Sequence, residues 1–412
     1  MQMLANVPLM TLIAVLILIA VRQVGRVKLQ IWHIMLGGAV VVLAAGSIMP
    51  VAALEAVNLD VMLFLSGMFI VGEALRRSGY LYYLSHKFFR RAKTPDHLIL
   101  LVLFIMGAFS ALIMNDTLAI IGTPLVLHFS RKHGISARLL LLTLAFAVTI
   151  GSVASPIGNP QNLLIAVNGG VRNPFVTFLS RLALPTIVNL FVAYAALKIF
   201  YRKSFSDAVL NHRVEPISDP RLALLARVSL IIILALVGVK IIAVFAGVEF
   251  RLTYIALAAA APIVLFSRDR LRVIRNIDWH TLIFFAAMFV LMKSVWDTGF
   301  FQSAAKGRDI TAIPMILGVS VVLSQLISNV PFVALYLPLL NHAGAATLQM
   351  MALAAGSTIA GNLFILGAAS NVIIVQNAEK QGETLTFLEF ARIGIPLTVI
   401  NTAVYWLFLV LL

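Results

Sequence analysis

Met114-Asn115-Asp116-Thr117, with Pro124 nine residues after its Asn, is answered far downstream by Ser328-Asn329-Val330-Pro331, with Pro338 nine after its own. A second pair accompanies the first. Gly158-Asn159-Pro160-Gln161-Asn162-Leu163-Leu164-Ile165 aligns without a gap on Gly367-Ala368-Ala369-Ser370-Asn371-Val372-Ile373-Ile374. The offsets nearly agree, 329 − 115 = 214 and 371 − 162 = 209. Each cluster interrupts a long apolar run. Lipid offers no partner to an exposed N–H or C=O, so a broken helix persists at membrane depth only where protein buries it or where it lines a cavity. Paired interruptions in two halves of a membrane protein point to a transporter's binding site.

Composition agrees. With 61% hydrophobic and 11% charged residues and a mean hydropathy of +1.02, the chain reads as a membrane protein. The first apolar stretch, Val7 to Ala20, runs into Arg22 and Arg26 without a small-residue cleavage site, so it is expected to be a span and not a signal peptide. Absence of Cys excludes disulfides and thiolate metal sites. The net charge of +15 is the loop bias of an inner-membrane protein and does not imply a nucleic-acid partner.

Apolar runs predict spans near 7–22, 32–48, 61–75, 139–167 and 175–200, then 222–247, 252–266, 280–294, 350–376 and 393–412. Each half also holds an apolar pair of limbs with the repeated Asn at its bend, near 97–129 and 312–341, expected to be re-entrant hairpins; full crossings are the alternative. With both termini outside, Arg22, Arg26, Lys28, the Arg76 to Lys93 cluster, Arg131, Lys132, Arg138, the stretch from Arg202 to Arg227 and Arg268 to Arg275 all fall in the cytoplasm. The opposite loops carry almost no Lys or Arg. Five spans per half then force opposite orientations. The expectation is an all-α polytopic membrane protein of two inverted-topology repeats, residues 1–200 and 222–412, each with a re-entrant hairpin and an unwound helix (139–167 and 350–376), joined by a cytoplasmic linker at 201–221. Further matches extend the repeat: Asn58-Leu59-Asp60 with Asn276-Ile277-Asp278, Met68-Phe69 with Met288-Phe289, and Ser78-Gly79 with Thr298-Gly299.

The Asn-bearing tips, the Gly-Asn-Pro-Gln-Asn break and the Ser328-Asn329-Val330-Pro331 tip resemble the ion-transporter superfamily, which includes arsenite permeases, sodium/proton antiporters, citrate carriers and divalent-anion symporters. Arsenite-permease-like anion transporters are the nearest kind. The resemblance implies two hairpins and two unwound helices around a midplane site, usually in a homodimer whose transport domain moves against a scaffold. Sodium-coupled dicarboxylate members carry Ser-Asn-Thr at both tips, whereas this chain keeps only the Asn at both.

The residues also speak for themselves. An unwound helix bares carbonyls that hold a cation, half-helix N-termini favour an anion, and an Asn amide serves either need. Asn115, Asn162, Asn329 and Asn371 are expected to form a pseudo-symmetric binding set with Thr117, Asn159, Ser328 and Ser370, while Gly158 and Gly367 permit the sharp turns. The blander role for such Asn residues is capping broken backbone. Ionisable groups at membrane depth call for a function, and Glu73, Asp116 and Lys293 qualify as proton or cation carriers. Glu73 and Lys293 could instead be snorkelling near span ends.

No HExxH or GxSxG motif is present, and the His residues fall at span ends, loops or a limb end, so catalysis is not expected. A passive channel also uses exposed carbonyls. A secondary carrier for a small ion or oxyanion is the stronger expectation, with proton-coupled arsenite efflux leading, sodium-coupled carboxylate symport or sodium/proton antiport as alternatives, and no cofactor beyond the coupling ion.

Overall fold

The computed structural model describes residues 2–411 apart from 22, 25–26, 29, 90–91, 203–217, 246–247, 249 and 306–308. Most of the expected linker, and Arg22 and Arg26, therefore lie outside the described residues. The fold is nearly all helical; a two-residue antiparallel pair, Gln23–Val24 against Val27–Lys28, is its β structure among the described residues. The first half runs α1 (Gln2–Val21), α2 (Ile31–Ala44), α3 (Pro50–Ala56), α4 (Leu59–Ser78), α5 (Tyr80–Phe89), α6 (Pro95–Leu101), a π-helical turn (Val102–Met106), α7 (Gly107–Ile113), α8 (Asn115–His133), α9 (Ala137–Ser152), α10 (Pro160–Asn168) and α11 (Pro174–Phe200). The second half runs α12 (Pro220–Phe245), α13 (Leu252–Phe266), α14 (Arg270–Arg275), α15 (Trp279–Trp296), α16 (Phe300–Ala305), α17 (Ile313–Ile327), α18 (Asn329–His342), α19 (Thr347–Ile359), 3₁₀ turns at Ala360–Asn362 and Ile365–Gly367, α20 (Ala369–Glu379) and α21 (Phe387–Leu411).

Among the described residues, Pro95–Ile113, Pro174–Phe200, Pro220–Ala243, Trp279–Trp296 and Phe387–Leu411 are each long and apolar enough to cross a membrane alone. The α3 and α4 pair passes the same test across a 55° bend, and five shorter apolar helices accompany them. The first hairpin limb, at 19 residues, has the length of a full crossing.

Local chemistry sets the ends of matched elements in the same way. Asn58 caps α4 by accepting the Val61 N–H at 3.0 Å, and Asp278 caps α15 by accepting the Thr281 N–H at 3.0 Å. Past their far ends, Gly79 and Gly299 take φ of 71° and 73°, a conformation that glycine adopts without strain. The caps share one offset with Glu73 and Lys293, 278 − 58 = 220 and 293 − 73 = 220. This corrects the alignment of Asn58-Leu59-Asp60 on Asn276-Ile277-Asp278, which is out of register by two residues; an Asn-x-Asp string looks alike at either register, but only one position can cap.

The halves interlock by exchange. α4 packs on α13 while α15 packs on α2, and α10 packs on the limb α18 while α20 packs on α8. Both hairpins turn on a single residue with backbone that a side chain disfavours: Met114 has φ 70° and ψ 135°, and Ser328 has φ 69° and ψ 158°. Gly158 and Gly367 are not at positive φ, contrary to the role expected of them. They are small because backbone passes close by: a Cβ on Gly158 would lie 2.5 Å from Ser152 O, and one on Gly367 would lie 2.8 Å from Ala360 O.

A close backbone contact holds the first hairpin to the first broken helix. A Cβ on Gly151 of α9 would sit 2.3 Å from Gly107 Cα at the start of α7. Replacing it forces the backbones apart, and overpacking of this kind costs about 1–3 kcal/mol or more. Gly151→Val is expected to lower the apparent melting temperature of the detergent-solubilised protein. Gly37→Ala, on α2 where nothing lies within 4 Å of the added carbon, is expected to leave it unchanged or slightly raised.

Candidate functional site

The first unwound segment, between α9 and α10, is closed by one side chain. Asn162 Nδ2 donates to the carbonyls of Ser152 at 3.1 Å, Val153 at 3.3 Å and Ser155 at 3.0 Å. Asn159 caps α10 through the Asn162 N–H at 2.8 Å, and Asn115 N–H donates to Gly158 O at 2.9 Å, tying hairpin tip to break. Thr358, from the second half, accepts from Asn159 Nδ2 at 3.2 Å and donates to Asn162 Oδ1 at 3.2 Å.

The second break repeats this plan with a gap in it. Asn371 Nδ2 donates to Gly361 O at 2.6 Å, matching Asn162 on Ser152 at the same offset of 371 − 162 = 209. Ala368 stands where the first half has Asn159, so the cap is missing. Among the described residues, Thr149 Oγ1, Asn329 Oδ1, Ser370 Oγ and Asn371 Oδ1 are left as buried oxygens with no hydrogen-bond partner. Outside helices support this break instead. Gln325 of α17 donates to Ala360 O at 2.7 Å, and Asn362 joins a buried Asn chain: its Nδ2 donates to Asn401 Oδ1 at 3.1 Å, and Asn401 Nδ2 donates to Asn189 Oδ1 at 2.8 Å.

A cavity of about 680 Å³ opens where these parts meet. The N-termini of α8, α10, α18 and α20 all reach it, through Asn115 and Asp116, Pro160 and Gln161, Asn329 and Val330, and Ala369 and Val372. Its remaining polar lining comes from Gln30, Trp32, Asp278, His280, Thr281, Ser328 and Gln376; among the described residues no Lys or Arg lines it. Trp32 and His280 stack at 5.0 Å with an interplanar angle of 11°. A second cavity of about 240 Å³ shares Asp116 and Asp278 with the first and is otherwise lined by Phe69, Gly72, Glu73, Arg76, Thr117, Ile120, Ile121, Asn276 and Ile277.

The expected residues thus sort into groups. Asn115, Asp116, Ser328 and Asn329 line the larger cavity. Asn159, Asn162, Ser370 and Asn371 are buried behind it in the breaks, and Asn162 has the capping role weighed against binding. Thr117 lies in the smaller cavity with Glu73. Glu73 pairs with Arg76 through two bonds of 2.7 Å. Lys293 lines neither cavity; it pairs with Asp297 at 2.6 Å, 46% exposed, because it sits at the last turn of α15. Sequence reasoning missed Asp278, His280, Trp32 and the three Gln residues of the lining, Gln30, Gln161 and Gln376. It also missed Asn189 and Asn401, whose signal is a lone Asn in each half's last long apolar helix, four and five residues after Pro185 and Pro396.

Comparison with known proteins agrees with this architecture. The chain is 29% identical over 374 residues to a 46 kDa membrane protein of Mycobacterium leprae, covering 86% of each. It is 26% identical over 438 residues to the silicon efflux transporter LSI3 of Oryza sativa subsp. japonica, covering 89% of this chain and 90% of that one. It is 25% identical to the human P protein over 85% of this chain but 53% of that one. Among solved structures, the YdaH transporter of Alcanivorax borkumensis superposes with a TM-score of 0.59 at 13% identity over 98% of this chain and 97% of that chain, a likeness of fold. The citrate transporter family profile matches residues 14–350, and the chain therefore belongs to that family of membrane transporters.

Proposed function

We propose that this transporter carries a small, oxygen-rich acid bearing little net charge, arsenite as its neutral trihydroxide being the leading case, and that it exports that cargo against protons by alternating access. The observation that carries the reading is the charge balance of the larger cavity. Four helix N-termini, each worth up to roughly half a positive charge, face the carboxylates of Asp116 and Asp278, with no Lys or Arg lining the cavity among the described residues. The two signs approximately cancel. A fully ionised tricarboxylate finds no Lys or Arg there among the described residues, whereas hydroxyls find donors and acceptors on Asn115, Gln161, Ser328, Asn329 and Gln376. The likeness to a protein named for silicon efflux supports a hydroxylated cargo.

Asp116 suits proton coupling because no group among the described residues donates to its carboxylate, which faces both cavities. Sodium coupling is the second reading. The unpartnered oxygens of Thr149, Asn329, Ser370 and Asn371 favour it, since hard cations prefer oxygen donors. In this reading the two halves run through the inner membrane in opposite senses with both termini outside, and two copies form a dimer.

Proteoliposomes in sodium-free buffer test the cargo. Arsenite and silicic acid are expected to enter saturably and to respond to an imposed pH gradient, with citrate at least about tenfold slower, a factor that roughly 1.4 kcal/mol of mismatch supplies. Fast citrate uptake with no arsenite flux overturns the proposal. The Asn residues are expected to separate binding from folding. Asn329→Ala should abolish transport with little change in melting temperature, because it faces the cavity and its oxygen has no partner. Asn162→Ala should lower stability by about 1–3 kcal/mol or more, since it strands buried carbonyls.

A further inference from the structure

Asp116 and Asp278 form the wall shared by the two cavities, and the side chains beyond that wall differ from those of the cargo site. On the smaller side stand Glu73 and Arg76 of α4 and Thr117, with Ile120, Ile121, Phe69 and Ile277 narrowing the space. Arg76, which lines the cavity, has a side chain 47% exposed. Thr117, 8% exposed, lines it with a hydroxyl that has no hydrogen-bond partner among the described residues. At about 240 Å³ against 680 Å³, this is room for a cation and a few waters beside a cargo-sized chamber.

The two carboxylates are held differently. Asp278 accepts the Thr281 N–H at 3.0 Å through Oδ1 and the Thr281 hydroxyl at 2.6 Å through Oδ2, and it sits at the N-terminus of α15, so both its oxygens are held in place. Asp116 has no such donors, and its own N–H is occupied by Asn115 Oδ1 at 2.9 Å. The charged and titratable groups facing Asp116 are Glu73 and Arg76 from α4 and Asp278 and His280 at the start of α15.

We propose that Asp116 and Asp278, with the Thr117 hydroxyl, form the binding site of the coupling cation, and that this cation arrives through the smaller cavity past Glu73 while the cargo uses the larger one. Asp278 is the stationary charge; Asp116 is the group that gains and loses the cation. Because Glu73 is neutralised by Arg76, the passage is open to a cation without holding it, and the negative pair at its inner end supplies the affinity. Loading the cation removes one of the two negative charges facing the cargo, so occupancy of the small site sets the charge balance of the large one. The inference rests on the transport reading above.

Two arms test it. In proteoliposomes given arsenite, the readout is the ratio of uptake with an inward or outward pH gradient to uptake without one. Asp278→Asn keeps a capping side chain and is expected to bring that ratio close to one, with Asp278→Glu restoring it; Ile120→Trp, which fills the smaller cavity, is expected to lower it as well. A ratio unaltered in Asp278→Asn overturns the proposal. The second arm needs no cargo and exploits the Cys-free chain. In Ile120→Cys, the cationic aminoethyl methanethiosulfonate is expected to react about tenfold faster than the anionic sulfonatoethyl reagent, relative to a free thiol, as roughly 1.4 kcal/mol of favourable field provides. Adding Asp278→Asn is expected to erase most of that preference. No preference, or one that persists unchanged, overturns the proposal. If the wild type moves no arsenite, the cargo reading fails and the thiol arm still decides the cation route.

Discussion

A helix broken inside a membrane strands carbonyls where no water can reach them, and everything distinctive in this molecule follows from how those carbonyls are satisfied. Asn162 takes three of them with one amide group, which lets α9 stop and α10 restart without a penalty of several kcal/mol per orphaned group. The restart aims a helix N-terminus at the cavity. Once the break is affordable, the rest is consequent: the hairpin tip hydrogen-bonds to Gly158, the second half leans in through Thr358, and four half-helices converge on one chamber.

The two halves do not satisfy their breaks alike. The first is closed by its own Asn159 and Asn162, whereas the second has Ala368 in place of the cap and depends on Gln325 and on the chain from Asn362 through Asn401 to Asn189. The first break is thereby part of a rigid unit with its hairpin. The second is fastened to the last helices of both halves, so a shift of α21 or α11 bears directly on it. An exact repeat would give two equivalent sites; the loss of one Asn makes one side structural and leaves acceptors open on the other.

Much of this was legible in the sequence because polar residues are rare in such a chain and stand out against it. The paired Asn residues, the hairpin bends and the two breaks could be read from spacing alone, since a repeat preserves its offsets and lipid forbids accidental interruptions. What could not be read was assignment. Asn162 and Asn329 look alike in a string of letters, yet one is consumed by backbone and the other faces a chamber. Asp278 resembled an ordinary loop residue because its place beside Asp116, on the lining of the same two cavities, arises only in the folded chain. His280 and Trp32 were invisible for the same reason, their stacking being made by two helix starts 248 residues apart (280 − 32 = 248). Glu73 and Lys293 share a repeat position but not a fate, since only the first is folded against a cavity.

Each hairpin reverses direction through one residue, Met114 or Ser328, and that residue lies in a backbone region with little freedom to vary. Such a joint contains no slack. A single residue separates the two limbs, so the packing of one constrains where the other begins. Gly107 of the first hairpin is seated against Gly151, so the outer limb is held along its length as well as at its tip. The placement of Asn115 and Asp116 therefore depends on a backbone contact made away from the cavity, not only on the residues around the tip.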